Sequence, residues 1–220
     1  MTLITTASHR AARRASLEEY FALEAGSPLK HEYYDGEIFV MTGATSNHNI
    51  IIFNLAAEMR PALRAKRNRG YVSEMRVVCP TGLSTYPDAI AVRGRPEIEK
   101  QNGLETLLNP TLLIEVLSPS TERYDRGAKF QHYQTIPSLT HYMLVAQNKS
   151  CVECFVRQPE SKWLLTTVTG INNHVTVPEL ELTLSLAEVY ADIEFPPPAA
   201  ETDDPEHTSP TEPHPPGPKQ

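Results

Sequence analysis

Cysteine, tryptophan and long apolar runs are scarce in this chain. Its 220 residues include three cysteines and one tryptophan. No segment approaches the roughly 18 consecutive apolar residues that a membrane helix needs. The N-terminal segment also lacks the apolar core of a secretion signal. We therefore expect a cytoplasmic protein with no membrane span and no disulfide framework.

Zinc-binding spacing and a glycine-rich phosphate loop are absent as well. Cys151 and Cys154 form a CxxC pair, but they lie in CVECFV, which alternates like a strand. Residues three apart on a strand face opposite sides, and no second pair completes four zinc ligands. The favoured interpretation is that both cysteines are small strand residues. Because neither zinc-finger spacing nor a glycine-rich phosphate loop is present, recognition of a nucleic-acid sequence by a known module is unsupported.

Negative charge is concentrated at the C-terminus. The formal net charge is -7, and the proline-rich segment from Phe195 onward holds five acids and one base. This composition predicts a disordered acidic tail over 195–220, a flexible N-terminus over 1–15 and one folded domain over 16–194. Because the tail carries so much of the charge, overall acidity is weak evidence against a nucleic-acid partner.

The folded part mixes helical and strand periods. Ser16 followed by Glu19 predicts an N-capped helix, and Asp35-Gly36 predicts a hairpin turn. Apolar residues four apart predict one face of a long helix that bends near Pro61. These residues are Ile51, Leu55, Met59 and Leu63.

The second half of the chain is richer in strands. YVSEMRVVCP, YPDAIAVRG, TLLIEVLSPS and HYMLVAQ predict strands, with TERYDRGAKFQHYQTI as a helix between the last two. CVECFVR and WLLTTVT predict an antiparallel hairpin, and SLAEVYADI a short final helix. This order predicts an α/β (α+β) fold in which a mixed central sheet is flanked by helices and followed by a C-terminal antiparallel hairpin.

One carboxylate interrupts an apolar strand. The segment LLIEVLSPST places Glu115 among Leu, Ile and Val. A strand with apolar side chains on both faces is usually central and covered on both sides. An unpaired carboxylate buried there costs several kcal/mol or becomes neutral. Glu115 therefore needs a compensating partner.

A second acid begins another apolar strand. Asp88 follows Pro87 and heads DAIAV, and proline is tolerated at the start of a strand. If the two strands are neighbours, Asp88 and Glu115 converge and repel, so one protonates or a cation lies between them. Carboxylate oxygens with open positions suit Mg²⁺ or Mn²⁺. We therefore predict a Mg²⁺ (or Mn²⁺) site held by Asp88 and Glu115.

Positive charge for this site has to come from another element. Leu117 shares a strand face with Glu115 and cannot supply it. Lys129 lies on the following helix, which could fold back over the end of the strand. Its ammonium would orient a metal-activated water or offset charge on a phosphate. In the other interpretation, Asp125 and Lys129 are only a surface helix pair, worth about 0.3 kcal/mol.

Four segments together resemble a known family: YYDGEI, YPDAIAV, LLIEVLSPSTERYDRGAKFQHY and HYMLVAQ. They are similar to the bacterial Uma-type putative restriction endonucleases of the PD-(D/E)XK nuclease superfamily. The resemblance implies a restriction-endonuclease-like fold and a metal-dependent endonuclease that hydrolyses phosphodiester bonds in DNA. It also implies that Asp88 and Glu115 bind the metal and that Lys129 replaces the lysine that the superfamily places two positions after the glutamate.

Two further residues join the site as predictions. Glu37, just past the hairpin turn, matches an acid of the family pattern and is a candidate third acid, although most hairpin glutamates are solvated. His48, near the start of the long helix, is a candidate base or phosphate contact. Its other interpretation is a surface or capping residue.

Other interpretations of the main residues stay open at this point. Asp88 could be a turn acid that bonds backbone amides, and Glu115 could pair with a buried Arg76. The protein could be a catalytically inactive nucleic-acid- or protein-binding domain on the same fold, or a metal-dependent hydrolase of small phosphoesters. Pairing of two subunits as a homodimer, which would allow both DNA strands to be cut, is also open.

A basic cluster lies at the end of the long helix. Pairing of cations with the helix C-terminus explains part of it, and contact with a phosphate backbone is the functional interpretation. The cluster comprises Arg60, Arg64, Lys66, Arg67 and Arg69.

Overall fold

The computed structural model describes residues 14–41, 43–196 and 217. The predicted flexible N-terminus and acidic tail therefore lie almost entirely outside the described residues. Arg14 and Ala15 are described and contact the hairpin turn, where Arg14 pairs with Asp35 and the Ala15 amide donates to the Gly36 carbonyl. Within the described part of the chain, no helix is long and apolar enough to cross a membrane.

Helices and strands alternate along the chain. The helices are α1 (Leu17–Gly26), α2 (Ser46–Ala65), α3 (Glu122–Tyr124), α4 (Phe130–Tyr133) and α5 (Leu186–Val189). The strands are β1 (His31–Tyr34), β2 (Glu37–Val40), β3 (Arg69–Val72), β4 (Arg76–Val78), β5 (Ser84–Thr85), β6 (Ala89–Val92), β7 (Ile98–Gln101), β8 (Leu104–Leu107), β9 (Leu112–Leu117), β10 (His141–Ala146), β11 (Cys151–Arg157), β12 (Trp163–Thr169), β13 (His174–Val177) and β14 (Leu182–Ser185).

A six-stranded mixed sheet forms the centre, in the order β12-β11-β10-β9-β6-β3. β9 and β10 are parallel, and the other neighbours are antiparallel. The predicted mixed sheet and the β11–β12 hairpin are thus confirmed. All six residues of β9 are buried, as its apolar residues on both faces predicted.

The two faces of β9 contact different layers. Leu112, Ile114 and Val116 pack in a core with α2, β13, β14 and α5. Leu113 and Leu117 pack in a second core with Phe130 and Tyr133 of α4 and with strands of the small sheet. Glu115 alternates with the second set, so its side chain faces the helical segment that follows β9.

The small sheet has the order β2-β1-β5-β4-β8-β7 and was largely missed by sequence reasoning. YVSEMRVVCP was expected to form one strand, and this prediction is wrong. Ser73 has a φ of 49°, and the chain leaves the large sheet after β3 to enter the small sheet as β4. The β7–β8 hairpin turns at Asn102-Gly103 with positive φ at both residues, a dipeptide signal that was available in the sequence.

The predicted helices form where expected. Ser16 and Glu19 make a reciprocal capping box at α1, and α2 continues through Pro61 to Ala65. Its four predicted core residues, Ile51, Leu55, Met59 and Leu63, are all buried. Residues 122–133 form one helical stretch whose middle, Asp125–Lys129, is a π-helical turn.

Candidate active site

Glu115 is paired with a lysine and a tyrosine from the following helical stretch. The Lys129 ammonium lies 2.9 Å from Glu115 Oε1, and the Tyr133 hydroxyl donates to the same oxygen at 2.6 Å. Lys129 is 5% exposed and Glu115 4% exposed, so both charges are removed from water. The predicted approach of Lys129 to Glu115 across the end of the strand is present in the structure.

Asp88 lies beside Glu115 on the neighbouring strand. β6 and β9 pair antiparallel with Ala89 opposite Ile114, and one further step of this register sets Asp88 opposite Glu115. Asp88 Oδ2 accepts a hydrogen bond from the Val116 amide at 2.7 Å. A hydrogen bond to a backbone amide is expected for a turn acid, and the same oxygen also lies 3.2 Å from Nε2 of His48, which lines the cleft.

Two more carboxylates surround the lysine. Glu32 Oε1 of β1 lies 3.2 Å from Lys129 Nζ and accepts a hydrogen bond from Thr85. Asp125 Oδ1, one π-helical turn before Lys129, lies 3.4 Å from the ammonium. Both acids are buried. The interpretation of Asp125 and Lys129 as a surface pair is therefore wrong, because the π-helical turn directs both side chains inward.

The π-helical turn is held from the sheet side. The Tyr142 hydroxyl of β10 donates to the Asp125 carbonyl at 3.0 Å, and Tyr142 packs against Phe130 and Tyr133. Single π-helical turns inside α-helices often occur at functional sites, since the extra residue re-aims the side chains.

These groups line one cleft of about 310 Å³. Its charged lining consists of four acids, Glu32, Asp88, Glu115 and Asp125, with Lys129 and His48. Burial, with a contribution from Asp125 and Asp88, raises the pKa of Glu115 to about 8 against the opposing effect of Lys129. Burial by itself lowers the pKa of Lys129, but Glu115 and Glu32 raise it well above its ordinary value. One lysine thus faces an excess of carboxylates.

The donor set suits a hard divalent cation. Among the residues that the structure describes, no three His, Cys, Asp or Glu side chains form a preformed metal cage. Mg²⁺ and Mn²⁺ do not need one, because one or two carboxylates and several waters usually complete their shell. Asp125 Oδ1 is buried without a hydrogen-bond partner. The residues that fit such an ion are Asp88 and Glu115, and Asp125 lines the same cleft.

His48 and Glu37 have different outcomes. His48 Nε2 lies 3.2 Å from Asp88 Oδ2, and the His48 amide donates to Thr45, the N-cap of α2. Its backbone is thus part of a helix cap and its ring reaches the cleft. Glu37 is exposed and does not line the cleft. Glu32, on the partner strand of the same hairpin, takes the place predicted for it.

Glu32 was missed although a signal was present. It lies two residues before Tyr34 in HEYYDG, and alternation puts both side chains on one strand face. Tyr34 is buried, so an acid on the same face had to be buried or functional. The buried Glu24 supports this strand by accepting bonds from His31 and Tyr86.

Arg76 does not neutralise Glu115. It is 1% exposed, but its Nε donates to Thr106 at 2.9 Å and its guanidinium lies 4.4 Å from the Phe21 ring. The alternative pairing of Glu115 with Arg76 is therefore wrong, since Lys129 and Tyr133 hold that position.

The same residues fall within a recognised sequence family. The profile of the Uma2 family, described as "Putative restriction endonuclease", matches residues 17–188. This chain belongs to the Uma2 family. All the charged residues of the cleft lie within the match.

Two uncharacterized proteins of Synechocystis sp. are similar to this Uma2 chain. One is 33% identical over 158 residues, covering 71% of this chain and 89% of that protein. The other is 30% identical over 183 residues, covering 83% of this chain and 94% of that protein.

A solved structure shares the Uma2 chain's fold. It is the crystal structure of a putative nuclease belonging to DUF820 from Anabaena variabilis, with a TM-score of 0.62 at 19% identity. The match covers 80% of this chain and 97% of that one. At this identity the likeness establishes the fold, and the restriction-endonuclease-like architecture is thereby confirmed.

Proposed function

We propose that this protein is a metal-dependent endonuclease that hydrolyses phosphodiester bonds in DNA, with Mg²⁺ or Mn²⁺ as cofactor. The observation that carries the proposal is the buried Lys129, held between Glu115 and Glu32 in a cleft that also contains Asp88. Membership in the Uma2 family and the name of the Anabaena structure support the same activity.

Asp88 and Glu115 are the proposed metal ligands. Their strands are adjacent, so the sheet itself sets the spacing of the two carboxylates. The Val116 amide fixes Asp88, and Tyr133 fixes Glu115. When bound, a divalent ion lowers the pKa of a water and neutralises charge on the phosphate.

Lys129 is proposed to hold the attacking water and to offset negative charge on the phosphate. The family's usual position for this lysine is occupied by Leu117, which is buried. A lysine from the π-helical turn reaches Glu115 from the other direction, so the ammonium and the carboxylate are together although their spacing in sequence is different. His48, whose Nε2 lies 3.2 Å from Asp88 Oδ2, is proposed to contact the phosphate or to accept a proton.

Plasmid nicking by purified protein with Mg²⁺ or Mn²⁺ tests the proposal. We expect Asp88→Asn and Glu115→Gln to lower the nicking rate by about 10³-fold or more. Each substitution removes a carboxylate charge of a proposed metal ligand, and the metal stabilises the transition state. Mn²⁺ binding, measured by electron paramagnetic resonance, should weaken in both variants. Glu37→Gln is the matched control, because Glu37 is an exposed acid outside the cleft.

The outcomes separate three functions. If the wild type binds DNA but never nicks it with any divalent metal, the protein is a catalytically inactive binding domain. If it hydrolyses small phosphodiesters with no preference for DNA, it is a phosphoesterase of small substrates. Equal loss in the Glu37→Gln control would show that the assay reports folding and not the site.

A further inference from the structure

A second groove lies beside the acidic cleft, between the C-terminal half of α2 and the edge strand β3. It encloses about 350 Å³ and has an apolar floor that includes Met59 and Leu63. Three arginines line it, Arg60, Arg64 and Arg69, and no acid does. The groove therefore has the opposite charge to the cleft.

Within the described part of the chain, the arginines of this groove lack acidic partners. Among the described residues, no carboxylate oxygen lies within 4 Å of Arg60, Arg64 or Arg69, whereas the nearby Lys66 pairs with Glu181. Arg69 donates to the carbonyls of Arg67 and Asn68. Arg60 and Arg64 are exposed, so their charges are free to meet an anionic ligand.

The helix C-terminus explains only part of this charge. Favourable interaction of cations with the helix dipole falls off within the last turn, and Arg64 is the basic residue of that turn in α2. Arg60 lies one turn earlier and Arg69 belongs to β3. Two of the three arginines thus have no explanation from the helix end.

α2 joins the two sites. Thr45 and His48 line the acidic cleft, and Ala56, Arg60 and Arg64 line the groove. Positions 48, 52, 56, 60 and 64 are each four apart and form one inclined ridge, which turns by about 40° around the helix axis at each step because four residues exceed one turn. The rise of the helix separates His48 from Arg60 by about 18 Å, which corresponds to about five phosphates of one B-DNA strand.

An exposed phenylalanine lies between the two sites. Phe53 is 74% exposed, the largest exposure among the large apolar side chains of the described residues. It lies seven residues before Arg60, two helical turns away on the same outer stripe. An exposed aromatic ring on the same helix as the basic groove is suited to contact bases, since every base presents a π-face.

We propose that the groove between α2 and β3 binds the phosphate backbone of DNA on one side of the phosphate that is cleaved. This inference rests on the proposed function for the identity of the cleft. Arg60, Arg64 and Arg69 contact successive phosphates, Phe53 contacts a base or sugar, and the scissile phosphate reaches the carboxylates past His48. The duplex thus follows α2 from its C-terminal half to its N-terminus.

Binding to a labelled DNA duplex in EDTA, as a function of salt, tests this groove without any cleavage. We expect Arg60→Gln/Arg64→Gln/Arg69→Gln to bind about 10-fold to 100-fold more weakly at low salt, with a log–log salt slope shallower by about 2 to 3. Because Arg69 also bonds backbone carbonyls, the double variant Arg60→Gln/Arg64→Gln is measured beside it. Its slope should be shallower by about 2.

The matched control removes equal charge elsewhere. Arg14→Gln/Lys100→Gln/Lys162→Gln changes the net charge by the same amount at three exposed residues that pair with acids outside the groove. We expect its DNA affinity and salt slope to stay close to wild type. If the groove variants and this control weaken binding equally, or if the wild type does not bind DNA, the inference is overturned.

A small substrate separates this inference from the proposed function. Hydrolysis of bis(p-nitrophenyl) phosphate with Mn²⁺ needs the cleft but cannot reach the groove. We expect the groove variants to keep wild-type hydrolysis of this ester and to show a raised KM for DNA. Weakened DNA binding in a protein that hydrolyses neither substrate would support the groove and refute the nuclease. Loss of ester hydrolysis in the groove variants would overturn the separation of the two sites.

Discussion

The charged residues near the two ends of α2 differ in sign and in exposure. Near its N-terminus a cleft holds four acids and a lysine that is 5% exposed, while at its C-terminus the arginines face solvent. Burial changes the protonation of the first group, as the raised pKa of Glu115 shows.

This difference suits the cleft to catalysis and the groove to attracting a polyanion. A buried, water-poor cleft strengthens each electrostatic interaction, which is useful for stabilising a transition state. An exposed basic groove attracts a polyanion over a longer range, in a manner that salt screens. Substitutions in the cleft should therefore change rates, and substitutions in the groove should change affinity.

The largest effect is expected at the lysine of the cleft. Lys129→Met should lower kcat for DNA cleavage by about 10²-fold to 10⁴-fold, with little change in KM. In metal-free protein it should also lower the free energy of unfolding by about 3 to 5 kcal/mol, because buried carboxylates lose their cation. Chemical denaturation with and without Mg²⁺ measures this, and Mg²⁺ should restore part of the loss.

Lys162→Met provides the comparison for that substitution. Lys162 is an exposed lysine whose partner, Glu160, is also exposed. We expect no measurable loss of kcat or stability. A Lys129→Met protein that behaves like Lys162→Met would break the contrast between the two regions.

A pH series sharpens the contrast next. The pKa of Glu115 is raised to about 8, chiefly by burial, so below that pH a proton occupies the carboxyl and a metal ion must displace it. Half-saturation by Mn²⁺ should therefore need about tenfold more metal for each pH unit from 8 down to 6. Lys129, Tyr133, Asp125 and Asp88 face the same group and modulate this dependence.

DNA binding by the groove should not follow this pH dependence. Arginine stays charged throughout the range from pH 6 to 8, so affinity in EDTA should be nearly constant. Electron paramagnetic resonance measures the Mn²⁺, and fluorescence anisotropy measures the DNA. A flat Mn²⁺ requirement over two pH units would contradict the raised pKa of Glu115.

A smaller effect is expected for the acids of the first hairpin. Glu32→Gln removes a charge that holds Lys129, and outer partners of this kind are typically worth about 10-fold to 100-fold. We expect a loss near the lower end in kcat, because Glu115 still pairs with the lysine. Glu37→Gln, directly after the turn, should cleave at the wild-type rate. Equal rates for the two variants would remove Glu32 from the site.

The smallest effect is expected at the exposed ring. Phe53→Ala should weaken DNA binding by about fivefold, the lower end of what a base contact contributes. Its free energy of unfolding should change by less than about 0.5 kcal/mol, because the side chain contacts solvent. Parallel anisotropy and thermal melts separate the two quantities. Unchanged DNA affinity would place the DNA path away from Phe53.

Prediction from sequence succeeded where a residue conflicted with its own neighbours. Glu115 within an apolar strand and Asp88 after a proline stood out locally, and they proved to be adjacent in the sheet. It failed where the conflict is visible only in three dimensions. Glu37 was predicted from its place after the turn and from the family pattern. Glu32 was not considered, because the burial of one face of β1 depends on β5 and the helical stretch after β9.

The basic groove also shows where prediction from sequence reaches its limit. The arginines at the end of α2 were visible in the sequence, and their favourable interaction with the helix end followed from position alone. Their place in a groove became clear only once β3 was found to form the other wall.

The sequence by itself determined the helix caps, the apolar faces, the central position of β9 and the presence of an acid that needed compensation. Each of these follows from residues within a few positions of one another, where backbone geometry fixes which side chains share a face. The tertiary structure decided between the two interpretations of Lys129 in favour of a buried partner of Glu115, and it alone showed that Glu32 and Asp125 share this lysine. Electrostatic pairing depends on distance through space and on exclusion of water, and neither is encoded by spacing along the chain.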